Sequence, residues 1–169
     1  RWNVVVVDKS SIGGATSRNA GFACLGSPSE LHDDWASIGP EQTIRLVQLR
    51  WEGLKLLRRT WGDDSLSFQA CGSVEAFTDP MLFESCQSFL PEINAALQPV
   101  LGSSPFVLQP ISERYGLKQV CGMIGSPLEG SLDTSRLIQT LHQALQMHNI
   151  PYLAGIEVTG LDTRSEQWL

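Results

Sequence analysis

Val4-Val5-Val6-Val7-Asp8-Lys9-Ser10-Ser11-Ile12-Gly13-Gly14-Ala15-Thr16-Ser17-Arg18-Asn19-Ala20-Gly21-Phe22 is the stretch on which the fold turns. Four consecutive valines are β-branched and show no polar alternation. They predict a central, parallel strand covered on both faces. The run closes on the Asp8 carboxylate and opens into a loop of Gly, Ser and Ala over residues 10–29, with one helical turn expected at 15–19. Such residues let backbone N–H groups approach an anion closely. An acidic side chain at a parallel strand's end can accept both hydrogen bonds of a ribose diol; a solvated strand-end residue is the plainer alternative. The loop 13–21 can bind phosphate through its backbone with Ser17 and Arg18, and a surface turn is the alternative there.

Working outward, 169 residues suffice for one domain or two small lobes. Hydrophobic residues make up 42% and charged residues 18%, a globular composition. A net charge of -6 and a pI near 5.0 argue against nucleic acid or an anionic membrane, leaving small molecules and proteins as partners. Cys24, Cys71, Cys86 and Cys121 form no CxxC pair, and with His32, His142 and His148 they show no ligand spacing. They are expected to be buried free thiols in a reducing cytoplasm, with no metal. No run approaches the ~20 apolar residues of a membrane span. A doubly covered strand so near Arg1, with no initiator Met, leads us to expect an internal segment of a longer protein. An apolar edge at 4–7 then invites self-association.

Pro40-Glu41 opens a long helix with Ile44, Val47, Trp51, Leu54 and Trp61 on one stripe and Leu46, Leu49, Leu56 and Leu57 widening it. It is expected to be largely covered and to end at Gly62. Residues 66–70 and 73–77 read as short strands. A second helix runs from Pro80 to about Leu97, interrupted or restarted at Pro91, and 99–110 is a loop. A helical turn at 112–115 and a strand at 120–124 precede a helix at 135–148, capped by Asp133 or Thr134, with Leu137, Ile138, Leu141, Ala144 and Leu145 inward. Strands at 152–153 and 156–161 complete an α/β, in part α+β, order. Glu52 and Glu75 could be acid or base groups but equally solvated side chains. Trp35, Trp51 and Trp61 read as core or interface anchors, and Ser10, Ser11 and Ser17 lack a His/Asp arrangement for hydrolysis.

Asp8-Lys9, Ile12-Gly13-Gly14-Ala15-Thr16-Ser17-Arg18-Asn19-Ala20-Gly21-Phe22 resembles the second strand and following loop of FAD-dependent oxidoreductases of the D-amino-acid oxidase and glycine oxidase superfamily. Glu129-Gly130-Ser131-Leu132-Asp133-Thr134-Ser135-Arg136-Leu137, the helix after it, Asn149-Ile150-Pro151 and Gly155 to Val158 are similar to that family's crossing from substrate domain back to FAD domain. The resemblance is strong at both ends and looser between.

It implies a partial FAD/NAD(P)-binding Rossmann-like fold at 1–40 and 130–169, with part of an inserted substrate domain at 41–129. Asp8 would hold the adenosine ribose and Lys9 would neighbour adenine. Ser17, Arg18, Asn19 and Gly21 would line the pyrophosphate and ribityl path, Val158 would meet adenine through its backbone, and Phe22 and Ala23 would lie toward the flavin. The implied activity is oxidation of the C–N bond of a small amine or amino acid. The family's first strand and G-x-G-x-x-G turn are not among these residues, so the chain alone is expected neither to hold FAD tightly nor to be a competent oxidase. A non-catalytic ligand- or protein-binding module of this ancestry is the alternative. An NAD-dependent dehydrogenase is disfavoured by a loop longer and richer in Ser, Arg and Asn than NAD folds need.

Overall fold

A computed structural model of the chain describes residues 3–10, 14–112 and 115–160. Its elements run β1 (Val6–Asp8), a 3-10 turn (Ala15–Ser17), β2 (Phe22–Ala23), α1 (Pro28–Ser37), α2 (Pro40–Trp61), α3 (Asp63–Leu66), β3 (Ser73–Phe77), α4 (Pro80–Leu101), β4 (Val107–Gln109), β5 (Gly122–Ser126), β6 (Gly130–Ser131), α5 (Thr134–Met147) and β7 (Tyr152–Ala154). They fall into two units, Arg1–Ala20 with Thr134–Leu169, and Gly21–Asp133. The fold class is α/β.

In the second unit α1 begins at the end of the stretch expected to be a loop, residues 10–29, and runs on to Ser37, where no element was expected. Ser27 accepts from the Glu30 N–H at 3.3 Å, Pro28 occupies the first turn, and Glu30 faces the positive end of the helix dipole. The next helix, α2, has its expected bounds, with the Gly62 N–H closing on the Arg58 carbonyl at 2.8 Å. Its burial is one-sided: Thr43, Val47 and Leu54 are buried and Ile44 and Trp51 pack against the core, but Leu49 and Leu56 stay half exposed. The expectation of a largely covered helix is corrected accordingly.

Helix α4 runs through Pro91 instead of restarting. Pro91 and Gln87, whose carbonyl it leaves without an N–H, both face solvent, so water can take the place of that bond. Asp79 caps its start by accepting from the Met81 N–H at 2.9 Å. Cys86, Phe89, Leu90, Ile93, Leu97 and Leu101 form the buried stripe that builds the core with Leu25, Leu31, Val47, Phe77, Phe106 and Ile124.

The sheet against this core has the order β3-β5-β4, all antiparallel, pairing Ser73 with Ser126, Glu75 with Ile124 and Leu108 with Ile124. Strand β4 was expected as loop; all three of its residues are exposed at the sheet edge, so no buried pattern marks it. The strand expected at 66–70 is replaced by the end of α3, a left-handed Ser67 at φ 47° and a single bridge from Gln69 to Ser131. The turn expected at 112–115 lies partly outside the described residues. Cys24 and Cys71 are exposed, correcting the expectation that all four thiols are buried; all four are free.

The first unit holds a parallel pair, β1 with β7, in register Val6 to Tyr152, Val7 to Leu153 and Asp8 to Ala154, with α5 leading into β7. Helix followed by parallel return strand is the Rossmann-like arrangement. The parallel sense is as expected, but the double coverage is not: Val4 is 50% and Val5 52% exposed, because β1 has one neighbouring strand among the described residues. On α5, Ala144 is buried and Leu137, Ile138, Leu141 and Leu145 half buried. A left-handed Asn149 at φ 53° ends it, with the Ile150 N–H reaching the Leu145 carbonyl at 2.8 Å. Residues 156–160 are not strand, contrary to expectation, and Leu161 lies outside the described residues. No described helix is long and apolar enough to cross a membrane.

Candidate functional site

A parallel strand delivers its last side chain to the edge where the chain turns away, and β1 delivers Asp8. The half-buried Asp8 carboxylate accepts from the Ser10 N–H through Oδ1 at 2.8 Å and from the Tyr152 hydroxyl through Oδ2 at 2.9 Å. The Ser10 bond, then the Tyr152 bond, holds its carboxyl below the usual range, and the same contact pushes the Tyr152 phenol up. Asp8 is therefore a fixed anion at neutral pH. Among the described residues each of its oxygens takes one donor, which leaves a lone pair on each.

Two further contacts hold this edge. The Asp8 carbonyl accepts from the Ile156 N–H at 3.0 Å, tying the segment after β7 to the end of β1. The Tyr152 ring meets His142 of α5 at 4.7 Å between centroids, which sets the phenol's direction. Tyr152 was legible as a strand residue, but its partnership with Asp8 was not. Only the register, Asp8 opposite Ala154 and Tyr152 two residues back on the same face, brings them together.

The other expected site residues are placed less uniformly. Lys9 Nζ pairs with Glu157 Oε1 at 2.6 Å, both well exposed. Val158 follows on the same segment, 61% exposed. The Ser17 hydroxyl donates to the Gly14 carbonyl at 2.8 Å, and the Ser17 and Arg18 N–H groups are bonded to the Gly14 and Ala15 carbonyls. Those two backbone donors are thus spent within the turn. Arg18 is exposed and makes no ion pair among the described residues. Asn19 follows it, exposed, with interactions of its own. Gly13 lies outside the described residues. Gly21 belongs to the second unit, where it is buried at φ 71° and its carbonyl accepts from the Leu132 N–H at 2.8 Å.

Of the weaker candidates, Glu52 sits on the exposed face of α2 accepting from Gln48 at 2.8 Å, a solvated residue. Glu75 is half buried and accepts from the Ser29 N–H at 3.1 Å. Trp35 and Trp51 pack against the core, as anchors should.

The first unit thus holds a fixed carboxylate at Asp8, an exposed guanidinium at Arg18 and an exposed segment at 156–158 tied to the end of β1. No curated protein matches the chain. A family model described as FAD dependent oxidoreductase matches residues 1–169, the entire sequence, and the chain belongs to that FAD-dependent family.

Proposed function

We propose that the chain carries the adenosine and phosphate side of an FAD site in an oxidoreductase acting on the C–N bond of a small amine or amino acid in the cytoplasm. Residues 1–40 and 130–169 would belong to the FAD-binding domain and 41–129 to the substrate-domain insertion. The observation that carries this reading is Asp8, ionised and held at the end of a parallel strand with acceptor capacity left.

The residues present fit the cofactor. Asp8 would accept the ribose hydroxyls, Arg18 would neutralise pyrophosphate, and the exposed backbone at Val158 would lie open to adenine, with Lys9 nearby. Tyr152 helps keep Asp8 charged and aimed by donating to Oδ2, as the Ser10 N–H does at Oδ1. Bound FAD supplies acceptance of a hydride from the carbon beside nitrogen, and the protein's task is to position the reactants and exclude water.

The test is anaerobic mixing of the protein, expressed from its complete reading frame, with a panel of amines and amino acids. Bleaching of the visible flavin band by one of them supports the reading. Bleaching only by a nicotinamide or an alcohol would overturn it. Asp8→Asn, which keeps the shape but removes the charge, is expected to weaken FAD retention about tenfold, read by fluorescence of released flavin.

A further inference from the structure

One face of the β3-β5-β4 sheet in the second unit borders a cavity of about 370 Å³. Side chains alternate across a strand, and directly paired residues share a face. The register therefore puts Ser73, Glu75, Ile124 and Ser126 on one side, with Phe106 two residues before Leu108, the partner of Ile124. All five line the cavity. Glu129, from the turn before β6, lines it as well.

Two features of this lining do not follow from packing. Glu129 is 4% exposed; its carboxylate accepts from the Leu25 N–H and the Ser73 hydroxyl. Neither Glu129 nor Glu75 takes part in an ion pair among the described residues, whereas Glu30, also in the lining, is compensated by Arg50 at 2.8 Å. Burial raises the Glu129 carboxyl against the lowering effect of its bonds from Ser73, Leu25 and Gly26, so a cation beside it would favour its charged form. The second feature is Ser126, 3% exposed on the cavity face of the sheet, whose hydroxyl has no hydrogen-bond partner. A buried hydroxyl left unpaired is costly, and buried polar groups are nearly always paired.

We infer that this cavity binds an ammonium group carrying an apolar substituent, with Glu75 and Glu129 supplying the charge, Ser126 a hydrogen bond and Phe106 and Ile124 the apolar wall. An ammonium brings donors and positive charge, which two uncompensated carboxylates and an idle hydroxyl oxygen can take up. A carboxylate entering with it would meet like charge in a medium of low dielectric. The ligand is therefore an amine rather than an α-amino acid inserted whole. That this amine is the substrate rests on the C–N reading above; the binding site does not.

The experiment is an NMR titration of the 169-residue chain, without flavin, using benzylammonium, benzyl alcohol and benzoate as probes. Benzylammonium is expected to shift the resonances of Ile124, Ser126 and Leu25, benzyl alcohol to bind at least about tenfold more weakly, and benzoate not to compete. Ser126→Ala and Glu75→Gln, both small changes in shape, should each weaken benzylammonium about tenfold. Equal binding of the three probes, shifts outside the cavity, no binding of benzylammonium, or unchanged affinity in both variants would each overturn the inference. With no flavin present, such a failure leaves the bleaching test standing. A protein that binds benzylammonium here but is never bleached by amines keeps the site and loses the proposed reaction.

Discussion

The two units carry different things. Every member of the buried apolar cluster lies in Gly21–Asp133, around α4 and one face of the three-stranded sheet. In the other unit Ala144 is the one buried apolar residue among those described, and β1 rests on a single neighbouring strand. Yet that thin unit carries Asp8, Lys9, Arg18 and Val158, the residues proposed for nucleotide recognition. Stability is concentrated where apolar area is removed from water, and the proposed recognition residues sit on an edge held by hydrogen bonds.

The sharpest way to break that contrast is to empty the core. Ile93→Ala, at a fully buried site in α4, is expected to destabilise by about 2–5 kcal/mol, while Leu153→Ala, exposed in β7, should stay within about 0.5 kcal/mol. Urea denaturation of both variants decides it, and comparable losses would mean that the first unit carries hidden core.

Glu129 comes next. Replacing it with alanine strands the Leu25 N–H in the interior, a loss of about 1–3 kcal/mol. Its pH dependence has a definite sign. The carboxyl is raised in the folded chain, so on going up in pH the unfolded chain releases this proton first. The stability from Glu129 is full below the ordinary value of 4.5 and falls as pH rises above it, until the folded group ionises too. The stability difference between wild type and Glu129→Gln, followed by denaturation from acid to neutral pH, should decline across that window; a rise would contradict the burial assigned to it.

The smallest effect tests the thin unit. Asp8 is lowered first by the Ser10 N–H and then by Tyr152, so its contribution is present above the ordinary 3.8 and lost as pH falls through the folded value. Tyr152→Phe should move the Asp8 titration part of the way back toward 3.8, with the Ser10 bond retaining the rest, as read by carboxyl-carbon NMR. An unmoved titration would remove Tyr152 from the site.

Much of this was legible in the residues. Pro-acid starts and glycine stops bounded α2, the apolar run ending in Asp8 marked the parallel strand, and the loop after it pointed to the family. These signals are local: each depends on a few neighbours in the chain, whose dihedral preferences and capping bonds act within a turn or two. Helix α1 has an equally local start in Ser27-Pro28-Ser29-Glu30, masked by the Gly, Ser and Ala content of the residues that lead into it.

What the chain's order alone did not determine was who meets whom. Register placed Tyr152 on Asp8, strand pairing set Ser126 and Glu75 on one cavity wall, and solvent access let Pro91 sit inside α4. The same access left the valines of β1 half exposed. A composition of four valines specifies a strand, because β-branching restricts each residue by itself. Whether the strand is covered, and which side chain faces its carboxylate, depends on partners more than a hundred residues away, and only the tertiary structure supplies them.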